Sequence, residues 1–132
     1  MDKAALEALV ARTPFTGFLG HRLVAAGGGA AEVLLAVRGE FVQEAGRVHG
    51  GVLTALADSA AVYALLSSGF APGFTGVELK LNFLRPVALE GPPLLARGRV
   101  VQAGRRVAVC DAEVEQAGKL VAKGLFTYLA AP

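Results

Sequence analysis

The sequence predicts an α+β fold in which one curved antiparallel sheet wraps around a single long, buried helix. Two observations predict it. The segment from Gly50 to about Ser67 (GGVLTALADSAAVYALLS) is rich in alanine and leucine and apolar nearly all round, the mark of a helix buried on every side. Six other segments alternate, or carry the β-branched content of strands, two before that helix and four after it. A lone helix among so many antiparallel strands is accommodated when the sheet curls about it.

The elements follow in order. Residues 3 to 11 place Leu6, Leu9 and Val10 at helical spacing and end before Pro14. A strand is expected over 18 to 26 and another over 31 to 38, joined by Gly27-Gly28-Gly29. Neither a lysine nor a helix follows the triple glycine, so it reads as a hairpin turn and not a phosphate loop. Residues 39 to 48 form a loop ending in Val48-His49-Gly50-Gly51, and Ser67-Ser68-Gly69 with Pro72-Gly73 close the helix. Over 77 to 83 the alternation is clean: Val77, Leu79, Leu81 and Phe83 share one face, Glu78, Lys80 and Asn82 the other. Strands near 94 to 102, 105 to 115 and 119 to 129 turn at Ala103-Gly104 and Ala117-Gly118.

At 132 residues the chain suits one domain over 1–132. A hydrophobic content of 54% against 18% charged residues excludes disorder and predicts apolar surface covered by a second subunit. The net charge of +2 comes from scattered basic residues, which argues against a nucleic-acid partner. Cys110, the one cysteine, falls in a strand and reads as a reduced core residue. The first residues lack an unbroken apolar stretch or a small-residue cleavage site, and Asp58 interrupts the apolar run from Gly50 to Leu66. That run is expected to be too short for a bilayer, so no membrane partner and a cytoplasmic location are the expectations.

Chemistry concentrates at His49 to Asp58. Two glycines at a helix start sacrifice roughly 1 kcal/mol each of helix propensity, which suggests that something approaches the backbone there. First-turn amides are unpaired and sit at the positive pole of the helix. An oxyanion donor of this kind is worth about 3 kcal/mol in a transition state. A tight entry turn is the other reading. Asp58 lies among Leu56, Ala57, Ala60 and Ala61, where a carboxylate must be paired or used. It either would suit attack on a thioester, directly or through water, or is satisfied by neighbouring hydroxyls or an arginine, and Thr54 one turn earlier is placed to share its hydrogen bonds.

Gly50 and Asp58 are eight residues apart, roughly 12 Å along a helix. A carbonyl oxygen and its carbon are bonded neighbours, so one helix cannot serve both. Two antiparallel copies can, and a homodimer with shared sites follows if both groups act. His49 has no acidic orienter nearby in sequence, which favours a hydrogen-bonding or loop-positioning role over a base. His21 reads as structural, and two distant histidines give no metal site.

At these residues the chain resembles the hotdog-fold thioesterase superfamily, in its PaaI-type (phenylacetyl-CoA thioesterase-like) branch. The resemblance covers nearly the whole chain: VHGGVLTALADSAAVYAL carries it, while GVELKLNFLRPV and GRVVQAGRRVAVCDAEVEQAGKLVAKG support fold and branch. It implies Asp58 as catalytic carboxylate, Gly50 as carbonyl-polarising donor from the opposite subunit, and Gln43, seven residues before Gly50, as a positioning amide. Gly51 and Thr54 are expected beside the substrate. Such proteins often carry a serine or threonine just before the VEL strand; here Thr75 is followed by Gly76, so that polar contact is displaced by one position or missing. Coenzyme A phosphates would be met by Arg85, Arg105 and Arg106, with Lys80 and Lys123 as weaker candidates.

The activity implied is hydrolysis of an aryl-acyl-CoA without a cofactor, coenzyme A being part of the substrate, in a homodimer extending to a homotetramer. A hotdog hydratase or dehydratase and a non-catalytic acyl-CoA binder are the alternatives.

Overall fold

The computed structural model describes residues 1–132 and opens with helix α1 (Lys3–Arg12), whose first turn is capped by the Asp2 carboxylate accepting from the Ala5 N–H at 2.9 Å. Leu6 and Val10 of α1 are buried. Where a strand is expected from residue 18, a second helix, α2 (Pro14–Leu19), is found instead. Pro14 is pre-set for a first helical turn, and Gly20, at φ 86°, ends it. Strand β1 (Arg22–Gly27) therefore begins only after that glycine, and β2 is short, Ala30–Leu35. Gly28 and Gly29 both have positive φ, as a two-residue hairpin requires. A single 3-10 turn at Gly39–Phe41 precedes α3 (Gly50–Ser68).

The remaining strands are β3 (Phe74–Phe83), β4 (Leu94–Ala103), β5 (Val107–Gln116) and β6 (Lys119–Ala130). They join β1 and β2 in one six-stranded sheet of order β1-β2-β4-β5-β6-β3, every pair antiparallel. β3 starts at residue 74, earlier than its alternation suggests, because a register shift between Gly76 and Glu78 breaks the period at Val77.

The sheet packs around α3 in the hotdog arrangement. Ala57, Ala60, Ala61 and Ala64 present no bulk, so the sheet comes close. A Cβ on Gly98 of β4 would lie 2.3 Å from the Ala60 carbonyl oxygen. Inward-facing Ala108, Cys110, Ala112 and Val114 of β5 complete the contact. Burial pushes the Cys110 thiol up to about 12, so it stays protonated, as a core residue should.

At 19 residues α3 is long and apolar enough to cross a membrane by length and composition, against the expectation from the sequence. Its packing against the sheet marks it as a core helix. Apolar surface stays open at several places, among them Phe15 and Phe18 of α2. β3 forms the sheet edge with Val77, Leu79 and Phe83 exposed, and Leu84 continues the patch.

Candidate active site

The start of α3 is built by His49. Its backbone is extended, and its Nδ1 accepts the Gly51 N–H at 2.8 Å. The side chain is thus an N-cap, the hydrogen-bonding role expected of it. The His49 carbonyl takes the Val52 N–H at 3.0 Å. Gly51 therefore has no N–H to offer, although it borders the cavity beside Asp58. The Gly50 N–H is bonded to nothing in the chain.

Gly50 shares a cavity with Gln43, Arg47, Phe83 and Arg85. A Cβ at residue 50 would stand 2.9 Å from the Phe83 ring, so glycine leaves the backbone open. The Gln43 side-chain oxygen accepts the Ala45 and Arg47 N–H groups, which ties it to its own loop. Arg85 is anchored by donating to the Leu120 carbonyl at 2.7 Å.

Asp58 has a different partner from the one its sequence neighbours suggest. Thr54 donates to the Gly50 carbonyl at 2.8 Å, because a helical hydroxyl readily bonds back to the preceding turn. It is the buried Tyr128 of β6 whose O–H donates to Asp58 Oδ1, at 2.6 Å. Burial, and then the charge of Asp58, push the Tyr128 phenol well above its usual range, so it remains a donor. Asp58 Oδ2 is bonded to nothing in the chain.

Two cavities meet at this carboxylate. One, of about 550 Å³, is lined by Gly51, Thr54 and Ser59 of α3, with Leu9, Phe15 and Leu79 among its apolar walls. The other runs along β3 and β6 past Gly76, Glu78 and Tyr128.

The expected residues thus fall into two groups. Gly50, Gln43 and Arg85 line one cavity; Asp58, Gly51, Thr54 and Gly76 gather at the other two. Thr75 is not brought to the carboxylate. It pairs with Leu129, one residue on from the Gly76–Tyr128 pair, and so lies on the opposite sheet face. Arg105 and Arg106 occupy the β4–β5 turn, where the Arg106 carbonyl accepts the Ala130 N–H at 2.7 Å, and neither lines these cavities. Lys80 and Lys123 are on the sheet face away from α3, in register with Leu125 and Asn82, and Lys123 pairs with Glu113 at 3.4 Å. They do not join the site.

His21 is buried and held by Ser59, its Nδ1 lying 2.9 Å from the Ser59 hydroxyl. Burial lowers it to about 4, so it is a neutral structural residue. Tyr128 and the Ser59–His21 pair were not legible from sequence. Tyr128 is one more apolar-face residue in an alternating strand, and no local pattern marks its hydroxyl.

Residues 45–123 match the family model described as the thioesterase superfamily. The chain belongs to that superfamily. The thioesterase is 33% identical over 109 residues to a protein of Saccharolobus solfataricus provisionally named an esterase, covering 82% of this chain and 76% of that protein. Among solved structures it is similar to a mutant of the phenylacetic acid degradation protein PaaI of Thermus thermophilus. That likeness has a TM-score of 0.84 and 32% identity, over 90% of this chain and 100% of the other. It is also similar to the E. coli PaaI protein of the phenylacetic acid degradation operon, with a TM-score of 0.89 and 25% identity over 96% and 91% of the two chains. The chain is accordingly a thioester hydrolase built on the hotdog fold.

Proposed function

We propose that this thioesterase hydrolyses an aryl-acyl-CoA, phenylacetyl-CoA or a close relative, to the free acid and coenzyme A. The observation that carries the reading is Asp58: a carboxylate with one oxygen bonded, the other unpartnered, lining a largely apolar cavity. A cavity of about 550 Å³ falls within the range of small-molecule sites. The PaaI likeness favours an aryl group over other acyl chains.

The active unit is a homodimer. Asp58 and Gly50 of one chain open into separate cavities, and antiparallel copies of α3 would bring Gly50 of the partner subunit to Asp58. The exposed β3 edge with its apolar side chains supplies a surface that needs such cover. Dimers pairing into a tetramer, in the cytoplasm, complete the reading.

In this site Asp58 either attacks the thioester carbon, forming a mixed anhydride that water then hydrolyses to release the acid and restore the carboxylate, or takes a proton from a water that attacks that carbon. The partner subunit's Gly50 N–H stabilises the oxyanion, and coenzyme A leaves as its thiolate. Arg85 and Arg47 are the cations that share the cavity of the oxyanion end and could meet the coenzyme. No cofactor is needed for this hydrolysis.

The test is a panel of acyl-CoAs, aryl and aliphatic, turned over by wild type and by Asp58→Asn. The amide has neither the basicity nor the nucleophilicity of the carboxylate. Turnover should fall by several orders of magnitude while thermal stability is kept. An Asp58→Asn chain retaining most activity ends the carboxylate role, and preference for aliphatic thioesters ends the aryl assignment.

A further inference from the structure

We propose that Tyr128 is a positioning residue for Asp58, tying one carboxylate oxygen to the sheet so that the other is the one that reacts. This rests on the reading of Asp58 as the reacting carboxylate and adds a residue from a distant strand to the machinery.

The bond joins two elements of unequal freedom. Asp58 hangs from α3 by a short rotatable side chain. Tyr128 is 2% exposed, on a strand hydrogen-bonded on both sides, to β5 and to β3. Its ring packs edge-on to Phe74, with centroids 5.5 Å apart. Gly76 is its cross-strand neighbour on β3. The ring is therefore held against Phe74 and aims its hydroxyl at the helix.

Nothing else in the chain shares this task. The hydroxyls nearest on α3 are committed elsewhere, Thr54 to the Gly50 carbonyl and Ser59 to His21. The ionisable groups facing Asp58 are Tyr63 on its own helix, Cys110 from β5, Tyr128 from β6 and Glu78 from β3. No arginine or lysine lines either cavity that it borders. The phenol O–H is thus the one donor that offsets the carboxylate charge.

Packing alone does not call for this hydroxyl. Phe126, two residues earlier on the same face and 1% exposed, lines the same cavity without one. A tied Oδ1 leaves Oδ2 as the attacking or proton-accepting atom and removes the rotations that would turn it from the substrate.

The test is Tyr128→Phe in the full chain, with kcat and KM measured on the best thioester of the panel. The ring is kept, so KM should stay near the wild-type value while kcat falls about 10- to 100-fold. Val33→Ala, a remote core truncation, should lower the melting temperature and leave kcat near the wild-type value. A wild-type kcat in Tyr128→Phe, or a fall in kcat no deeper than that of Val33→Ala, overturns the proposal and spares the thioesterase reading. A wild type that hydrolyses no thioester at all overturns both.

Discussion

The Nδ1 of His49 accepts the Gly51 N–H at 2.8 Å, and this bond decides which first-turn amide of α3 is available. With Gly51 engaged, Gly50 carries the open donor. An imidazole nitrogen that accepts a backbone proton is not free to act as a base, so the Nδ1 of His49 serves as a cap that shapes the site.

His49→Ala should therefore cost about 1 kcal/mol of stability, the usual worth of an N-cap. Thermal denaturation should show a melting temperature a few degrees lower, and His49→Asn, another good cap, should recover most of it. Loss of hydrolysis as deep as in Asp58→Asn, with stability intact, would contradict the capping role.

Gly98→Ala addresses the packing of sheet on helix. The added methyl would meet the backbone of Ala60, which cannot swing aside as a side chain can. Overpacking of this kind typically costs about 1–3 kcal/mol, the loss expected here from denaturant titration. An unchanged midpoint would mean that α3 and β4 are further apart than described.

Sharing of the site can be read from mixed dimers. Chains carrying Asp58→Ala and chains carrying Gly50→Val, whose side chain would press on Phe83, should each be inactive as homodimers. A heterodimer of the two keeps one intact site, with about half the turnover of the wild-type dimer. No recovery in well-formed heterodimers would count against a site built from two chains.

His21 supplies a pH dependence of folding. Burial lowers it from 6.5 to about 4, so between those values the unfolded chain binds more protons than the folded one. Stability should rise with pH across that window, and the contribution of His21 is complete above 6.5 and lost by about 4. His21→Gln should flatten the slope of melting temperature against pH between 4 and 6.5. An equal slope in both proteins would show that another group carries it.

The sequence by itself determined the buried helix, the count of strands and the Gly50–Asp58 motif. These rest on local signals: periodicity, paired glycines and a carboxylate in an apolar run. It did not reveal α2, because a proline-started helix of six residues is too short for a period to emerge. It left open whether Thr75 supplies the polar contact before the VEL strand, since a bulge at Val77, which changes the face each residue meets, has no local signature. Tertiary structure alone decided the partner of Asp58. Tyr128 is 70 residues away, and only the wrapping of β6 onto α3 brings its hydroxyl within 2.6 Å. A hydrogen bond between distant segments leaves no trace in the spacing of either one, so the donor that holds the carboxylate is visible only once the chain has folded.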